Sequence, residues 1–474
     1  MRSSFENICI FHILDGLRDG LAHFSDGARA ALIYSTEPEG PLRIYDPQDL
    51  MRGHEPKLRD LYLDSEFWRG PLPDGPEVSF LNREHLKQLQ MAGLIAFGGR
   101  SRSIPYQVWF TEEDPNMCSI GPTQHWLEYA TRLFSQNYEI QNILNIDTAG
   151  NVLQQCAVHA IRDYLVDERS SMGKWDTQIR VYPLLDAVIG VSKTMEEGCW
   201  PRGEMVFVEP CEQYQLNFLA LFPDQDRPEI HNFKRVRKLL QSVEGSDRKL
   251  VSDGKCIVGI AVGSVPDSSI TVRYHGSHGF LLLNDLLVCS FSGGNFSSSN
   301  RKANLVELEE LFVDTRLNLS EQHSLKNIVT ALVDNSTECR HGCTLVLDLS
   351  ITPERMSGQY LVHSLDLRQS RFLELAKAFS KIDGALHIGA DLKLHGFGCL
   401  LDGHSVPGEN LARGARYNSA LRYTAEHESV IVVVVSSDRP VSIIQGGIEL
   451  TAACVLKTLH GCPTPPLFRD WLDS

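Results

Sequence analysis

Two segments in the last third of the chain combine residue types that can hold an anionic ligand. At 383–385 the sequence reads Asp-Gly-Ala, an acid and two small residues between a helical pattern and a strand pattern. Small residues let a ligand approach the backbone closely, and the carboxylate can bind a divalent metal. At 414–416 it reads Gly-Ala-Arg, at the start of an amphipathic pattern. A glycine before a helix leaves backbone N–H groups facing a ligand, and Arg416 can add a bidentate contact to phosphate.

A third polar group follows the apolar run VIVVVV, where the sequence continues Ser436-Ser437-Asp438. Hydroxyls and an acid at the end of a strand lie where α/β folds usually bind ligands. An Asp-Gly-Ala turn is also common in a plain hairpin. The residues alone therefore leave both a nucleotide site and a simple hairpin open.

The elements that would position these residues alternate between helix and strand. Helical spacing is found in LKNIVTALVDNS and RFLELAKAFSKI, whereas GCTLVLDLS, VIVVVVSS and VSIIQGG are typical of strands. The segment GALHIGADLKLHGFGCLL predicts a hairpin directly after Asp383. This alternation predicts an α/β domain over 321–474.

The rest of the 474-residue chain is long enough for further domains. We predict an α/β region over 1–232 that ends at the Pro- and Asp-rich segment PDQDRPEIHN, and a β-rich region over 233–320 with Gly, Asn and Ser turns. The predicted fold class of the whole chain is α/β (α+β), with a C-terminal mixed β-sheet wrapped by helices.

The charge and the apolar runs exclude several classes of protein. A formal net charge of −15 repels nucleic-acid backbones and anionic lipids, although a local phosphate site stays possible. The longest apolar runs, LLLNDLLVCSF and VIVVVV, are too short to span a bilayer. The start of the chain lacks the uninterrupted apolar core of a signal peptide. We therefore expect a soluble, cytoplasmic protein with free thiols.

One cysteine cluster offers an alternative site. Cys339, His341 and Cys343 are three potential metal ligands within five residues. A structural zinc site needs a fourth ligand, which His460 or Cys462 could supply only through the fold. Buried free thiols are the favoured interpretation.

The segment from His341 to Gly447 resembles the diadenylate cyclase (DAC) domain, which is the nucleotide-binding domain of the DNA integrity scanning protein and of membrane-bound cyclic di-AMP synthases. The resemblance rests on the order of the motifs: a strand from Gly342 to Leu347, Asp-Gly-Ala at 383–385, and Gly-Ala-Arg-Tyr-Asn-Ser-Ala at 414–420. The last segment corresponds to Gly-Thr-Arg-His-Arg-x-Ala of the family. A valine strand ending in Ser436 and the strand VSIIQGG complete the pattern.

The resemblance implies a mixed sheet wrapped by helices and a reaction that condenses two ATP molecules into cyclic di-AMP and two pyrophosphates. Two protomers would meet face to face, so we expect a homodimer or a higher oligomer. By the resemblance, Asp383 and Arg416 are catalytic, and Asp383 with Asp438 would bind Mg²⁺ or Mn²⁺. The implied nucleotide-binding residues are Gly384, Ala385, Leu386, Gly414, Ala415, Arg416, Tyr417, Asn418, Ser419 and Ser436.

The chain departs from the family pattern at two places. The family's Arg-His-Arg reads Arg416-Tyr417-Asn418, and Ser437 stands where several members have glutamate. Arg413 and Arg422 lie on the same segment and could compensate for the lost cation. The leading hypothesis is a diadenylate cyclase, and the alternative is a weak or inactive relative that binds ATP or a cyclic dinucleotide as a sensor.

The upstream two thirds resemble, less specifically, the sensor-like regions that precede such domains, so we expect them to regulate the C-terminal domain. The family's membrane anchor and its helix-hairpin DNA-binding region have no counterpart in the sequence. Neither membrane binding nor DNA binding is therefore expected.

Overall fold

The computed structural model describes residues 2–25, 28–75, 77–114, 117–140, 143–276, 278–299, 305–313, 315–339, 341–350, 353–406, 409, 413–436, 441–450 and 464–474. The chain divides into two compact units, of which the first comprises residues 1–300 and 456–474 and the second residues 301–455. The finer division expected from the sequence, with boundaries after residues 232 and 320, stays a prediction.

The first unit begins with a five-stranded antiparallel sheet. Its strands are β1 (Ala30–Ser35), β2 (Arg43–Tyr45), β3 (Ser79–Phe80), β4 (Leu94–Arg100) and β5 (Tyr106–Glu112), in the order β2-β1-β5-β4-β3. The helices of this part are α1 (Arg2–Ser25), α2 (Glu55–Tyr62), α3 (Arg83–Gln88), α4 (Gly121–Ile140), α5 (Ile143–Gln154), α6 (Ala157–Ser171) and α7 (Val181–Ser192).

Both faces of this sheet are buried, because alternate residues of each strand enter different cores. Leu32 and Trp109 pack in one core with residues of α1 and α4. Ile33 and Val108 pack in the other, which also contains Trp471 of a final short helix, Phe468–Leu472. The C-terminal residues thus complete the first unit.

The second sheet of this unit has eight strands. They are β6 (Arg202–Phe207), β7 (Asn217–Leu221), β8 (Arg248–Ser252), β9 (Ile257–Val262), β10 (Ile270–His275), β11 (His278–Leu283), β12 (Leu286–Ser292) and β13 (Asn295–Ser297). Their order is β13-β12-β11-β10-β6-β8-β9-β7, and every pairing except the parallel β6–β8 is antiparallel. Helix α8 (Phe233–Leu240) and the short 3-10 segments Pro210–Gln215, Asp224–Asp226 and Gln241–Val243 lie between these strands in the chain.

The second unit is built on one seven-stranded mixed sheet. Its elements in chain order are α9 (Val306–Val313), α10 (Leu319–Glu338), β14 (Cys343–Asp348), β15 (Gln359–Asp366), α11 (Ser370–Phe379), β16 (Ala385–Gly389), β17 (Lys393–Cys399), α12 (Ala415–Glu426), β18 (Val430–Val435), β19 (Ser442–Gln445) and β20 (Ile448–Glu449). The strand order is β15-β17-β16-β14-β18-β19-β20, with β14 and β16 parallel.

The central strands β14 and β18 are buried along their whole length. Leu345 and Val433 enter a core with residues of α10 and α11, whereas Val346 and Val432 enter a second core with α12. A strand covered on both faces is expected to be a continuous apolar run, which explains VIVVVV. The predicted α/β class, the mixed C-terminal sheet and the hairpin after Asp383, formed by β16 and β17, are confirmed.

No helix in the described part of the chain is both long enough and apolar enough to cross a membrane.

Candidate functional site

A pocket of about 370 Å³ lies at one edge of the seven-stranded sheet. Strands β14 and β16 are parallel and begin at this edge, and β18 ends there because it runs antiparallel to β14. Helix α12 begins beside them. The lining residues are Asp383, Gly384, Arg413, Gly414, Ala415, Arg416, Tyr417, Val434, Val435, Ser436 and Ser442.

The turn before β16 places Asp383 at the mouth of this pocket. Gly384 has φ +105°, and a Cβ atom there would lie 2.5 Å from the carbonyl carbon of Gly398. Only glycine fits both the backbone conformation and this close approach. The Asp383 side chain is 98% exposed, so its carboxylate contributes little to the core and is accessible to a ligand.

Arg416 crosses the pocket from the first turn of α12. Its Nη2 donates to Asp383 Oδ1 at 3.0 Å. A Cβ atom at Gly342 would lie 2.5 Å from Arg416 Nη1, so the glycine before β14 makes room for the guanidinium. Because an exposed ion pair of this kind adds little stability, a phosphate or a metal can displace either partner at small cost.

The start of α12 adds backbone donors to the same pocket. Gly414 is the N-cap residue, has φ +88°, and no side chain caps the helix. The first N–H groups of a helix lack acceptors within the helix, and the helix dipole favours an anion there. The pocket therefore combines a guanidinium, uncapped N–H groups and the exposed carboxylate of Asp383.

A second arginine reaches the pocket from the residue before Gly414. The Nη2 atom of Arg413 donates to Glu449 Oε1 at 2.6 Å and to Ser442 Oγ at 3.0 Å. Its guanidinium lies 4.1 Å from the ring centroid of Tyr417, and the Tyr417 hydroxyl donates to Glu449 Oε2 at 3.1 Å. Burial and the neighbouring carboxylate of Glu449 raise the pKa of Tyr417 above its ordinary value, so the phenol keeps its proton.

The structure brings most of the sequence-derived site residues together, but not all. Ala385 and Leu386 are buried on the two faces of β16, and neither forms part of the pocket wall. Asn418 is also buried, and its Nδ2 donates to the Gly414 carbonyl oxygen at 3.1 Å. Ser419 is not part of the wall either, and Asp438 lies outside the described residues.

Sequence reasoning missed two members of the site, Ser442 and Glu449. Both lie on the final hairpin, formed by β19 and β20, and contact Arg413 only because this hairpin lies beside α12. No spacing rule in the sequence predicts that contact. Arg422, the other arginine expected to compensate, forms a bidentate pair with Glu409 and does not line the pocket.

The cysteine cluster considered as a zinc site does not assemble in the described part of the chain, where no group of three His, Cys, Asp or Glu side chains could hold a metal. Cys343 is buried at the start of β14, and burial raises its pKa to about 11. His341 Nε2 lies 3.0 Å from Ser380 Oγ instead. His460 and Cys462 are outside the described residues.

A buried polar chain lies farther along the same sheet. His387 Nδ1 is 2.7 Å from the Tyr360 hydroxyl, and its Nε2 is 3.3 Å from Asp348 Oδ2. Burial alone would raise the pKa of Asp348, but hydrogen bonds from His387, from Ser350 and from the Glu354 N–H outweigh it and lower the pKa to about 2. None of these residues lines the pocket, so we assign this group of hydrogen-bonded side chains to the stability of the fold.

The first unit has a cavity of a different character, of about 460 Å³. Its floor is apolar and includes the buried side chains of Phe24, Trp126 and Leu185, whereas its rim carries amides. No lysine or arginine is among its described lining residues, which are Gly20, His23, Phe24, Trp126, Gln154, Gln155, Ala157, Val158, Tyr182, Leu185, Asp186, Ile189, Gly294, Asn295 and Phe296.

Comparison with protein families gives three matches along the chain. Residues 4–175 match the family described as probable sensor domain DACND, and residues 182–290 match probable sensor domain DACNH. Residues 330–448 match the family described as DisA bacterial checkpoint controller nucleotide-binding, DAC. No curated protein matches the chain significantly.

Two solved structures resemble part of the chain. One is described as a hypothetical membrane spanning protein from Bacillus cereus, with 18% identity and a TM-score of 0.23, over 26% of this chain and 61% of that protein. The other is a double mutant of DacA from Staphylococcus aureus, with 16% identity and a TM-score of 0.22, over 28% of this chain and 87% of that protein. The chain thus spans less than two thirds of the first of these proteins.

Proposed function

Because residues 330–448 are a DAC domain of the DisA nucleotide-binding type, preceded by two probable sensor domains, we propose that the chain is a diadenylate cyclase. It condenses two ATP molecules into cyclic di-AMP and two pyrophosphates. The observation that carries the proposal is the pocket in which Asp383, Arg416 and the start of α12 converge. These are the groups that an ATP triphosphate with a divalent metal requires.

In the proposed complex, the triphosphate lies at the N-terminus of α12, between Arg416 and the hydroxyl of Ser436. Gly384 leaves space for the nucleotide to approach the backbone. The chain supplies alignment and positive charge rather than a covalent intermediate, and these are the main sources of acceleration in phosphoryl transfer.

The exposed carboxylate of Asp383 fits Mg²⁺ or Mn²⁺, since such ions are held by one or two carboxylates together with substrate phosphates. When bound, the metal would neutralise phosphate charge and help to activate the 3′-hydroxyl. Asp438 is proposed as a further ligand.

The reaction needs two nucleotide sites that face each other. The 3′-oxygen of each ATP attacks the α-phosphorus of the other. At each α-phosphorus a new P–O bond forms as the bond to the leaving pyrophosphate breaks, and the proton of each attacking hydroxyl passes to solvent. We propose a homodimer or a higher oligomer for this step. Turnover per protomer is then expected to rise with protein concentration until all protomers are associated.

The two sensor domains are proposed to regulate this reaction, which would take place in the cytoplasm. Neither a membrane nor DNA is proposed as a partner. The apolar-floored cavity of the first unit is of a size that suits a small molecule.

One observation favours a second candidate function, that of a weak or inactive DAC protein that binds ATP or a cyclic dinucleotide as a sensor. Asn418 occupies the position of the family's second arginine, and its amide is hydrogen-bonded to Gly414 rather than facing the pocket. That position therefore supplies no cation to the phosphates.

Incubation of the full chain with ATP and Mg²⁺ or Mn²⁺, followed by mass-resolved chromatography, separates the two functions. The test variant is Asp383→Asn, and the matched control is Asp391→Asn, which changes a half-exposed acid in the turn between β16 and β17. We expect cyclic di-AMP from the wild type and the control, and at least roughly a hundredfold less from Asp383→Asn.

ATP binding without product under both metals would reject the cyclase and support the sensor. Product formed equally well by Asp383→Asn would reject the assigned site.

A further inference from the structure

We propose that Arg413 is a second phosphate-binding cation of the pocket, and that Glu449 is the positioning residue that holds it in place. The proposal rests on the proposed function in one respect, namely that the phosphate groups belong to ATP. It assigns the role of the missing family arginine to a residue outside the motif.

The first argument concerns which N–H groups of Arg413 are already used. A guanidinium has five N–H donors, and Nη2 carries two of them. Both hydrogen bonds of Arg413 to the described residues, with Glu449 and Ser442, are donated by Nη2. Within the described residues, no acceptor is found for Nε or Nη1, so their three N–H groups stay available to phosphate oxygens.

The second argument concerns how firmly the guanidinium is held. Glu449 binds Arg413 with one oxygen and the Tyr417 hydroxyl with the other, and the Tyr417 ring lies beneath the guanidinium. Ser442 adds a third contact to the guanidinium. A side chain ordered before binding loses less conformational entropy when the ligand arrives, so the same contact gives a higher affinity.

The third argument is the contrast with Arg422, which lies on α12, the helix that follows Arg413. Nε and Nη2 of Arg422 donate to the two carboxylate oxygens of Glu409. The pair of N–H groups that could make a bidentate contact with phosphate is therefore already used. Arg413 and Arg422 both pair with a glutamate, yet only Arg413 lines the pocket and has no hydrogen bond from Nε or Nη1 to the described residues. This makes Arg422 a matched control.

Calorimetric titration of the full chain with Mg²⁺ and either inorganic tripolyphosphate or ATP tests the proposal. The variants are Arg413→Gln, Glu449→Gln, the double variant and Arg422→Gln. We expect Arg413→Gln to weaken tripolyphosphate binding roughly ten- to a hundredfold, as for a lost charged hydrogen bond. Glu449→Gln should weaken it roughly three- to tenfold, and Arg422→Gln should leave it unchanged.

Two readouts separate positioning from a general loss of structure. Because Glu449 acts through Arg413, the double variant should bind tripolyphosphate no more weakly than Arg413→Gln alone. If the wild type turns over, Glu449→Gln should raise KM for ATP and leave kcat within about twofold. A lowered thermal midpoint with unchanged affinity would show that the pair is structural and would overturn the proposal.

The outcomes also separate this proposal from the cyclase. Unchanged tripolyphosphate affinity in Arg413→Gln, with cyclic di-AMP still formed by the wild type, overturns the second cation alone. Tripolyphosphate binding that depends on Arg413, in a chain that does not bind ATP, overturns the cyclase alone. A wild-type chain that binds neither probe overturns both.

Discussion

Arg169 in the first unit and Arg413 in the second both pair with a glutamate, but their surroundings differ. Arg169 is 1% exposed, and its three nitrogens donate to Glu209 and to the carbonyl oxygens of Ser268 and Ile179. Lys174 contacts the same glutamate. Arg413 is only partly buried, and a single nitrogen makes both of its hydrogen bonds.

This difference in burial and in hydrogen bonding distinguishes a structural ion pair from an arginine that can bind a ligand. A buried arginine whose nitrogens all donate to protein acceptors has no nitrogen free to bind a ligand. Removing it leaves a buried carboxylate without its positive partner. A half-buried arginine beside a pocket, with two nitrogens not hydrogen-bonded to the protein, adds little to stability and can bind an anion. Variants of Arg169 should therefore change stability, whereas variants of Arg413 should change the affinity for an anion.

The largest expected effect on stability is that of Arg169→Met. The variant leaves Glu209 buried without its main partner, so we expect a loss of about 3–5 kcal/mol in the free energy of unfolding. Urea denaturation followed by circular dichroism measures it. Arg413→Gln is the matched comparison, and a loss there as large as in Arg169→Met would break the distinction between the two clusters.

Gly384→Ala is expected to cause the second-largest loss in the free energy of unfolding. The new Cβ would collide with the backbone of Gly398, and alanine is strained at φ +105°, so we expect a loss of roughly 2–4 kcal/mol. Gly446→Ala is the control, because that glycine also has positive φ but no atom within 4 Å of the added Cβ. Equal losses in thermal or urea unfolding would show that the close approach to Gly398 does not constrain the turn.

The two units should also differ in the pH range over which acid lowers their free energy of unfolding. Burial, aided by the charge of Arg100, lowers the pKa of His85 in the first unit to about 4. The unfolded chain, whose histidine has an ordinary pKa near 6.5, binds more protons between these values. We therefore expect the first unit to lose on the order of 2 kcal/mol as the pH falls from 6.5 to 4.

Thermal unfolding across this pH range measures the effect, with His85→Phe as the comparison. The slope between pH 6.5 and 4 should be shallower in the variant. An identical slope in both proteins would exclude His85 as its source.

Asp348 should make the stability of the second unit fall at lower pH. Its folded pKa of about 2 lies below the ordinary value, so the stabilisation is present above about pH 4 and is lost as the pH falls towards 2. We expect roughly 1–2 kcal/mol over that interval. Because the pKa of Asp366 in the same unit is also lowered to about 2 by its hydrogen bond with Arg368, Asp348→Asn should make the dependence shallower rather than remove it. Acid unfolding monitored by near-ultraviolet circular dichroism measures the slope, and an unchanged slope in the variant would exclude Asp348 as a source.

The smallest expected effect on stability is that of Asp383→Asn. Its carboxylate is almost fully exposed and contacts only Arg416 among the described hydrogen bonds, so the thermal midpoint should not change. A clear drop in the midpoint would mean that Asp383 supports the fold and that its effect on activity is indirect.

The sequence was sufficient for the parts of the fold that depend on local pattern. The helix and strand periods predicted the α/β class, the hairpin of β16 and β17, and the helix start at Gly414. The residues alone left a nucleotide site and a plain hairpin open, and the family resemblance, through the order of its motifs, assigned Asp383 and Arg416 to one site.

The rest depends on contacts between distant segments. Ala385 and Leu386 stand two and three residues after Asp383, yet both faces of β16 are covered, so strand alternation cannot direct either side chain to the pocket. Glu449 stands 36 residues after Arg413 and reaches it through the final hairpin. No periodicity connects the two residues, because their contact is a property of tertiary packing.

Titration of the full chain with ATP and Mg²⁺ tests most directly whether the pocket at the start of β16 is a nucleotide site. The variant is Arg416→Gln, and the control is Arg368→Gln, another arginine of the second unit that pairs with Asp366 and does not line the pocket. We expect one ATP per protomer, an affinity at least roughly tenfold weaker in Arg416→Gln, and no change in the control. Equal affinity in all three proteins would contradict the assignment.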